Sequence, residues 1–94
     1  MRLVGKELLA EFAKEHADIR GPLNAWIFEV EEANWTGPAD IKARYPNASL
    51  LSDNRVVFNI KGKTYRIETK VSYAIKVVLA TRIGTHAEYS KWTL

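Results

Sequence analysis

The stretch Arg55-Val56-Val57-Phe58-Asn59-Ile60-Lys61-Gly62-Lys63-Thr64-Tyr65-Arg66-Ile67-Glu68-Thr69-Lys70-Val71 alternates with a period of two on either side of a glycine. Val56, Phe58 and Ile60 alternate with Val57, Asn59 and Lys61, and Tyr65, Ile67, Thr69, Val71 and Tyr73 repeat the pattern beyond Gly62. Alternation of this kind gives a strand one apolar and one polar face. Lys61-Gly62-Lys63 is first the turn of a hairpin and only second a phosphate contact. On the second strand Arg66, Glu68 and Lys70 share the face opposite Tyr65, Ile67 and Val71, with the two cations about 13 Å apart at about 3.3 Å per residue. A third run, Lys76 to Ile83, follows through a short connection, so an antiparallel meander is expected. Met1 to Val4 is a candidate edge strand.

Upstream of Ser49 the period is helical. Val4, Leu8, Leu9, Phe12 and Ala13 recur at helical spacing against Lys6, Glu7, Glu11, Lys14 and Glu15, which predicts a helix over about 5–17. Pro22 suits the first turn of a second helix with Leu23, Trp26, Ile27 and Val30 as its apolar stripe, fading near Asn34. Pro38 starts a short third helix carrying Ile41, and Pro46 blocks its continuation beyond Tyr45. Trp26 and Trp35 are expected in the packing between helices and sheet, and His16 at the end of the first helix. The expected fold class is α+β: N-terminal helices on one face of a small antiparallel sheet, in one domain spanning residues 1–94.

Downstream, Arg82-Ile83-Gly84-Thr85-His86-Ala87-Glu88-Tyr89-Ser90-Lys91-Trp92 reads as a strand-to-helix junction. Gly84 is expected to break the strand. Thr85-x-x-Glu88 matches a capping box, which makes Glu88 a capping residue before it is a general base. His86 and Tyr89, three apart, share one helical face. The face carrying Arg82 depends on the preceding hairpin. If Ala74 and Ile75 form a two-residue loop, Ile67 opposes Arg82 and the arginine lies off the Arg66 face; a shift of one residue reverses this.

Composition narrows the function classes. Hydrophobic residues make up 47% and charged residues 27%, ordinary for a globular chain. The chain has no cysteine, which removes disulfides and thiolate chemistry, and its two histidines are far apart, so no metal site and no cofactor are expected. No apolar run approaches the roughly 18 residues of a membrane span, and no signal-peptide core is expected at the start, so a cytoplasmic protein without membrane contact is the expectation. The net charge is +3, and eight of the eleven acidic residues fall in the first 40 positions, leaving a basic second half suited to an anionic partner.

The run Trp26 to Trp35, then Pro38-Ala39-Asp40-Ile41-Lys42, Tyr45-Pro46-Asn47-Ala48-Ser49, Asn54 to Gly62, Lys63-Thr64-Tyr65-Arg66 and Ile83 to Tyr89 resembles the HigB family of RelE-like type II toxins, in order and spacing, over nearly the whole chain. The resemblance implies a RelE-like α+β endoribonuclease, an mRNA interferase that cuts message on the ribosome. It also implies a HigA-type helix-turn-helix antitoxin as partner, with DNA contacted only through that antitoxin. Where the family pattern commonly has Arg, Arg and Asp, this chain has Lys70, Thr81 and Ser90.

The chemistry so implied is attack of the ribose 2′-hydroxyl on the neighbouring phosphorus without a metal ion, with a base, an acid and cations for the developing charge. The candidate catalytic residues are Arg66, Lys70, Arg82, His86 and Tyr89. Arg55, Lys61, Lys63 and Lys91 are candidates for steering the RNA backbone. The alternative is a binding module with weak or no catalysis, acting through an antitoxin complex in DNA-bound repression.

Overall fold

In the computed structural model, which describes residues 1–92, the chain runs through β1 (Arg2–Val4), α1 (Lys6–Glu15), a 3-10 turn (Ala17–Ile19), α2 (Arg20–Glu32) and α3 (Pro38–Arg44). It continues through β2 (Ser49–Leu50), β3 (Arg55–Ile60), β4 (Tyr65–Ser72), β5 (Val77–Thr85) and α4 (His86–Tyr89). The strands form one sheet in the order β1-β5-β4-β3-β2. The α+β class is as expected, with α1 packed on β5 and α2 on β3.

The sheet is mixed rather than wholly antiparallel, because β1 pairs in parallel with β5, Leu3 opposite Val78. Hairpins dictate the directions of β3, β4 and β5, but no hairpin joins β1 to its neighbour. Its direction is set by the need to feed α1 back over the core face. Gly5 makes that turn: its φ is +98°, and a Cβ there would lie 2.6 Å from the Ala80 carbonyl oxygen.

The helix boundaries shift slightly from expectation. The first helix ends at Glu15 and passes into the 3-10 turn, while α2 begins at Arg20, two residues ahead of Pro22. Pro22 is tolerated in that first turn because its missing N–H would have had no helical partner. Leu9, Ala13, Ile19, Leu23, Trp26 and Val30 from the helical layer meet Val56, Phe58, Ile60, Tyr65, Ile67, Val71 and Val78 from the sheet. Trp26 and Trp35 are both buried, as their aromatic bulk suggested. Asp18 in the 3-10 turn accepts from Lys61 Nζ at 2.8 Å and from the Tyr65 hydroxyl at 2.6 Å, tying the helical layer to the β3–β4 turn. The Lys61 bond and then the Tyr65 bond hold the Asp18 carboxyl below its ordinary range.

The register of β5 settles the Arg82 question. Next to the turn, Ser72 faces Val77, Lys70 faces Leu79 and Thr69 faces Ala80; further along, Glu68 faces Arg82 and Arg66 faces Gly84. The first set is the register that an Ala74–Ile75 loop implies, although the turn observed spans Tyr73–Lys76. The second set is displaced by one residue, because Thr81 is an extra residue in β5 with no opposite number on β4. Arg82 therefore lies on the Arg66 face, and Ile67 opposes Ile83. Gly84 does not break the strand, which runs on to Thr85. It provides room instead: a Cβ at Gly84 would lie 2.9 Å from Trp92 Cζ2 and 3.2 Å from Glu88 Cβ.

Candidate active site

The sheet face away from α1 and α2 carries Asn59 opposite Arg66, Val57 opposite Glu68, and Arg55 opposite Lys70. At one end of this face, Asn47, Ser49, Asn59, Lys63, Arg66, His86 and Tyr89 line a cleft of about 300 Å³. Two turns and a helix start meet there. The His86 N–H donates to the Thr64 carbonyl at 3.0 Å, pinning the start of α4 to the β3–β4 turn.

The junction forms the expected capping box. Glu88 N–H donates to Thr85 Oγ1 at 3.2 Å, and Thr85 N–H donates to Glu88 Oε1 at 2.8 Å. The bond from the Thr85 N–H holds the Glu88 carboxyl below its ordinary range, so this carboxylate is committed to the cap.

Arg66 is the centre of the cleft and is only 7% exposed. One guanidinium nitrogen donates to the Lys63 carbonyl at 2.6 Å, and the other lies 3.0 Å from His86 Nδ1. Its Cζ sits 5.1 Å from the centre of the Tyr89 ring. Guanidinium has only donors, so His86 Nδ1 must be the acceptor in this bond and Nε2 carries the ring hydrogen. Three side chains that are separate in sequence thus form one contact set, and Arg66 joins the imidazole and the phenol.

Arg82 lies alongside rather than inside this cleft. Its Nε and NH2 groups donate to Glu68 Oε1 and Oε2, each at 3.2 Å, and its Cζ is 4.5 Å above the Trp92 ring. Thr81 Oγ1 also donates to Glu68, at 3.1 Å. Trp92 meets Tyr89 edge-on at 5.5 Å, so Arg66, Tyr89, Trp92 and Arg82 form a continuous cation–aromatic row. Glu68 stands between Arg66 and Lys70 on β4, and Arg82 engages its carboxylate there.

The remaining candidate cations divide by position. Lys63 lines the cleft. Lys70 is exposed four residues along β4 from Arg66, beside Arg55, whose guanidinium donates to the Ser52 carbonyl at 3.1 Å. Lys91 is exposed just after α4. Lys61 is turned to Asp18 on the helical side, and it does not line the cleft. Trp92 and Asn59 received no site role from the sequence. Asn59 shares the strand parity of Arg55, and Trp92 follows Tyr89 at helical spacing, so the signals existed; what no periodicity reveals is that Asn59 stands opposite Arg66 and that Trp92 joins Tyr89 to Arg82. Ser90 hydroxyl donates to the His86 carbonyl at 3.1 Å, capping the short helix.

No helix among the described residues is long and apolar enough to cross a membrane. No curated protein matches the chain. The model of one protein family, HigB_toxin, described as the RelE-like toxic component of a toxin-antitoxin system, matches residues 19–92, from the 3-10 turn beneath the β3–β4 hairpin to the tryptophan that covers Arg82. Such a match takes in the α2–α3 layer, four of the five strands and the whole cleft, and the chain belongs to the HigB_toxin family of RelE-like toxins.

Proposed function

We propose that this toxin is an endoribonuclease that cleaves mRNA at the ribosome in the cytoplasm and is held in check by a HigA-type helix-turn-helix antitoxin, through which alone it reaches DNA. The observation carrying this reading is the Arg66–His86 contact of 3.0 Å inside a cleft that also holds Tyr89 and Lys63.

Bound RNA places a phosphodiester against Arg66, and the guanidinium turns from His86 to the non-bridging oxygens. That releases the Nδ1 lone pair. Nδ1 then takes the proton of the 2′-hydroxyl, the 2′-oxygen bonds to phosphorus, and the bond from phosphorus to the 5′-oxygen breaks. The departing oxygen takes its proton from the Tyr89 hydroxyl. Arg66 meets the charge that develops on the phosphorane, and Lys63 adds to the field. Arg82 supports the adjoining part of the backbone from its place between Glu68 and Trp92. Lys70 and Arg55 hold phosphates further along the same face, and Lys91 adds a cation just beyond α4.

The products identify the chemistry. Cleaved RNA should end in a 2′,3′-cyclic phosphate and begin with a 5′-hydroxyl, and a single 2′-deoxy substitution at the cut site should abolish cutting. Cleavage of the deoxy substrate at the normal rate would rule out 2′-hydroxyl attack. Antitoxin binding without any RNA cutting would favour the non-catalytic binding module instead.

Salt dependence tests the path beyond the cleft. Removing one cation that pairs with a backbone phosphate should lower the slope of log affinity against log salt by about 0.7 for a single strand, so Lys70→Ala should reduce the slope by that amount. An unchanged slope would place Lys70 outside the RNA path and leave it a solvated strand residue.

A further inference from the structure

A second concavity lies between α2 and α3, outside the cleft. It has a volume of about 350 Å³ and is lined by Phe28, Ala33, Trp35 and Tyr45, with Glu29, Glu32 and Arg44 at its rim. Phe28 stands at the mouth with 65% of its surface exposed. The wall behind it is fixed: Trp35 is buried, Tyr45 meets it edge-on at 6.2 Å, and the Tyr45 hydroxyl donates to Glu29 Oε2 at 3.1 Å. Burial, reinforced by that bond to Glu29, pushes the Tyr45 phenol far above its ordinary range, so it stays a donor at all working pH values. A rigid aromatic wall with an exposed phenylalanine at its edge is a typical anchor pocket.

The rim charge selects the occupant. Arg44 is engaged by Glu29, whereas Glu32 forms no ion pair among the described residues. The end of α2 thus presents negative charge beside apolar surface, the opposite sign from the Arg66 cleft. The two are nevertheless continuous. Arg44 and Tyr45 also line a hollow with Pro46, Asn47, Ala48, Asn59 and Gly62, and Asn47 and Asn59 in turn line the cleft. An RNA strand matches only the cationic end of this trough, since Glu32, unpaired among the described residues, repels phosphates and Glu29 holds Arg44. A polypeptide carrying a large apolar side chain flanked by lysine or arginine matches the other end.

We propose that the α2–α3 groove is the docking site of the antitoxin, filled by a basic segment that inserts one large apolar side chain against Phe28, Trp35 and Tyr45. This docking needs the antitoxin that the family brings, but not the cleavage chemistry.

The test titrates the full chain with the purified product of the antitoxin gene adjoining its own, using calorimetry. Phe28→Ser should weaken binding at least about 30-fold, as truncation of a central anchor does, and Glu32→Lys about 10-fold. Because both side chains are exposed, both variants should keep the wild-type unfolding midpoint and RNA cleavage rate. Affinities within threefold of wild type for both variants, tighter binding by Glu32→Lys, or no complex with the wild-type chain would overturn the docking site. Weakened RNA affinity in Phe28→Ser with antitoxin affinity intact would also overturn it and assign the groove to RNA. An inactive wild-type nuclease whose antitoxin affinity falls with Phe28→Ser would sink the cleavage reading alone.

Discussion

His86→Ala is expected to lower single-turnover RNA cleavage by about 10²–10⁴-fold while leaving RNA affinity close to wild type. The imidazole sits in the cleft with its Nδ1 held by Arg66, and the alanine variant keeps Arg66 and Lys63 for the phosphate. Binding and chemistry should separate for that reason. Tyr89→Phe keeps the ring against the Arg66 guanidinium and removes only the hydroxyl. A drop in rate there marks proton donation, whereas full activity would reduce Tyr89 to a stacking partner. Thr85→Ala serves as the structural control, since removing the helix cap should cost about 0.5–2 kcal/mol of stability without removing a reacting group. If folded His86→Ala cleaves RNA at the wild-type rate, proton transfer by histidine is excluded and the chemistry passes to the cations and Tyr89.

The largest stability effect is expected at Phe58, which is fully buried. Its ring meets Trp26 at 5.2 Å and Tyr45 at 5.2 Å, both edge-on, and stacks on Trp35 at 6.1 Å. Phe58→Ala should cost about 3–5 kcal/mol, because three large rings cannot close on the space the side chain leaves. Phe58→Leu should cost about 1–2 kcal/mol by keeping most of the volume. For a chain of this length each kcal/mol corresponds to roughly 4–8 °C in melting temperature, so the alanine variant should be partly unfolded at growth temperature. Urea unfolding gives the comparison at constant m-value. A decrease under about 1 kcal/mol for the alanine variant would mean that the aromatic cluster is not the keystone of the helix–sheet contact. The same cluster supports the groove, since Trp35 and Tyr45 form its wall.

Much of the site was legible as a set of residue types and little of it as an arrangement. Arg66, His86 and Tyr89 were marked by strand parity and by the capping box, and these local rules survive folding because neighbouring residues enforce them. Lys61 shows where such rules stop. Its place in a hairpin turn was readable, but its pairing with Asp18 crosses 43 residues of sequence. Glu68 is a similar case: its place on the face of Arg66 and Lys70 was readable, but its pairing with Arg82 comes from the neighbouring strand. The parallel pairing of β1 departs from the antiparallel sheet expected for the same reason, as no short connection constrains its direction.

The chain alone specifies the α+β class, the core faces of β3 and β4, the helix cap at Thr85 and the glycine turn between β3 and β4. All follow from periodicity and from contacts within a few residues. Which cations share a face follows from cross-strand packing alone, through one residue. The turn-side register of β4 and β5 would have sent Arg82 to the core face; Thr81, left unpaired as a bulge and hydrogen-bonded to Glu68, advances the strand by one position and returns Arg82 to the face of Arg66. Side chains in a strand alternate strictly, so a single inserted residue reverses the face of everything beyond it, and the place of that insertion depends on cross-strand hydrogen bonds that no local pattern encodes.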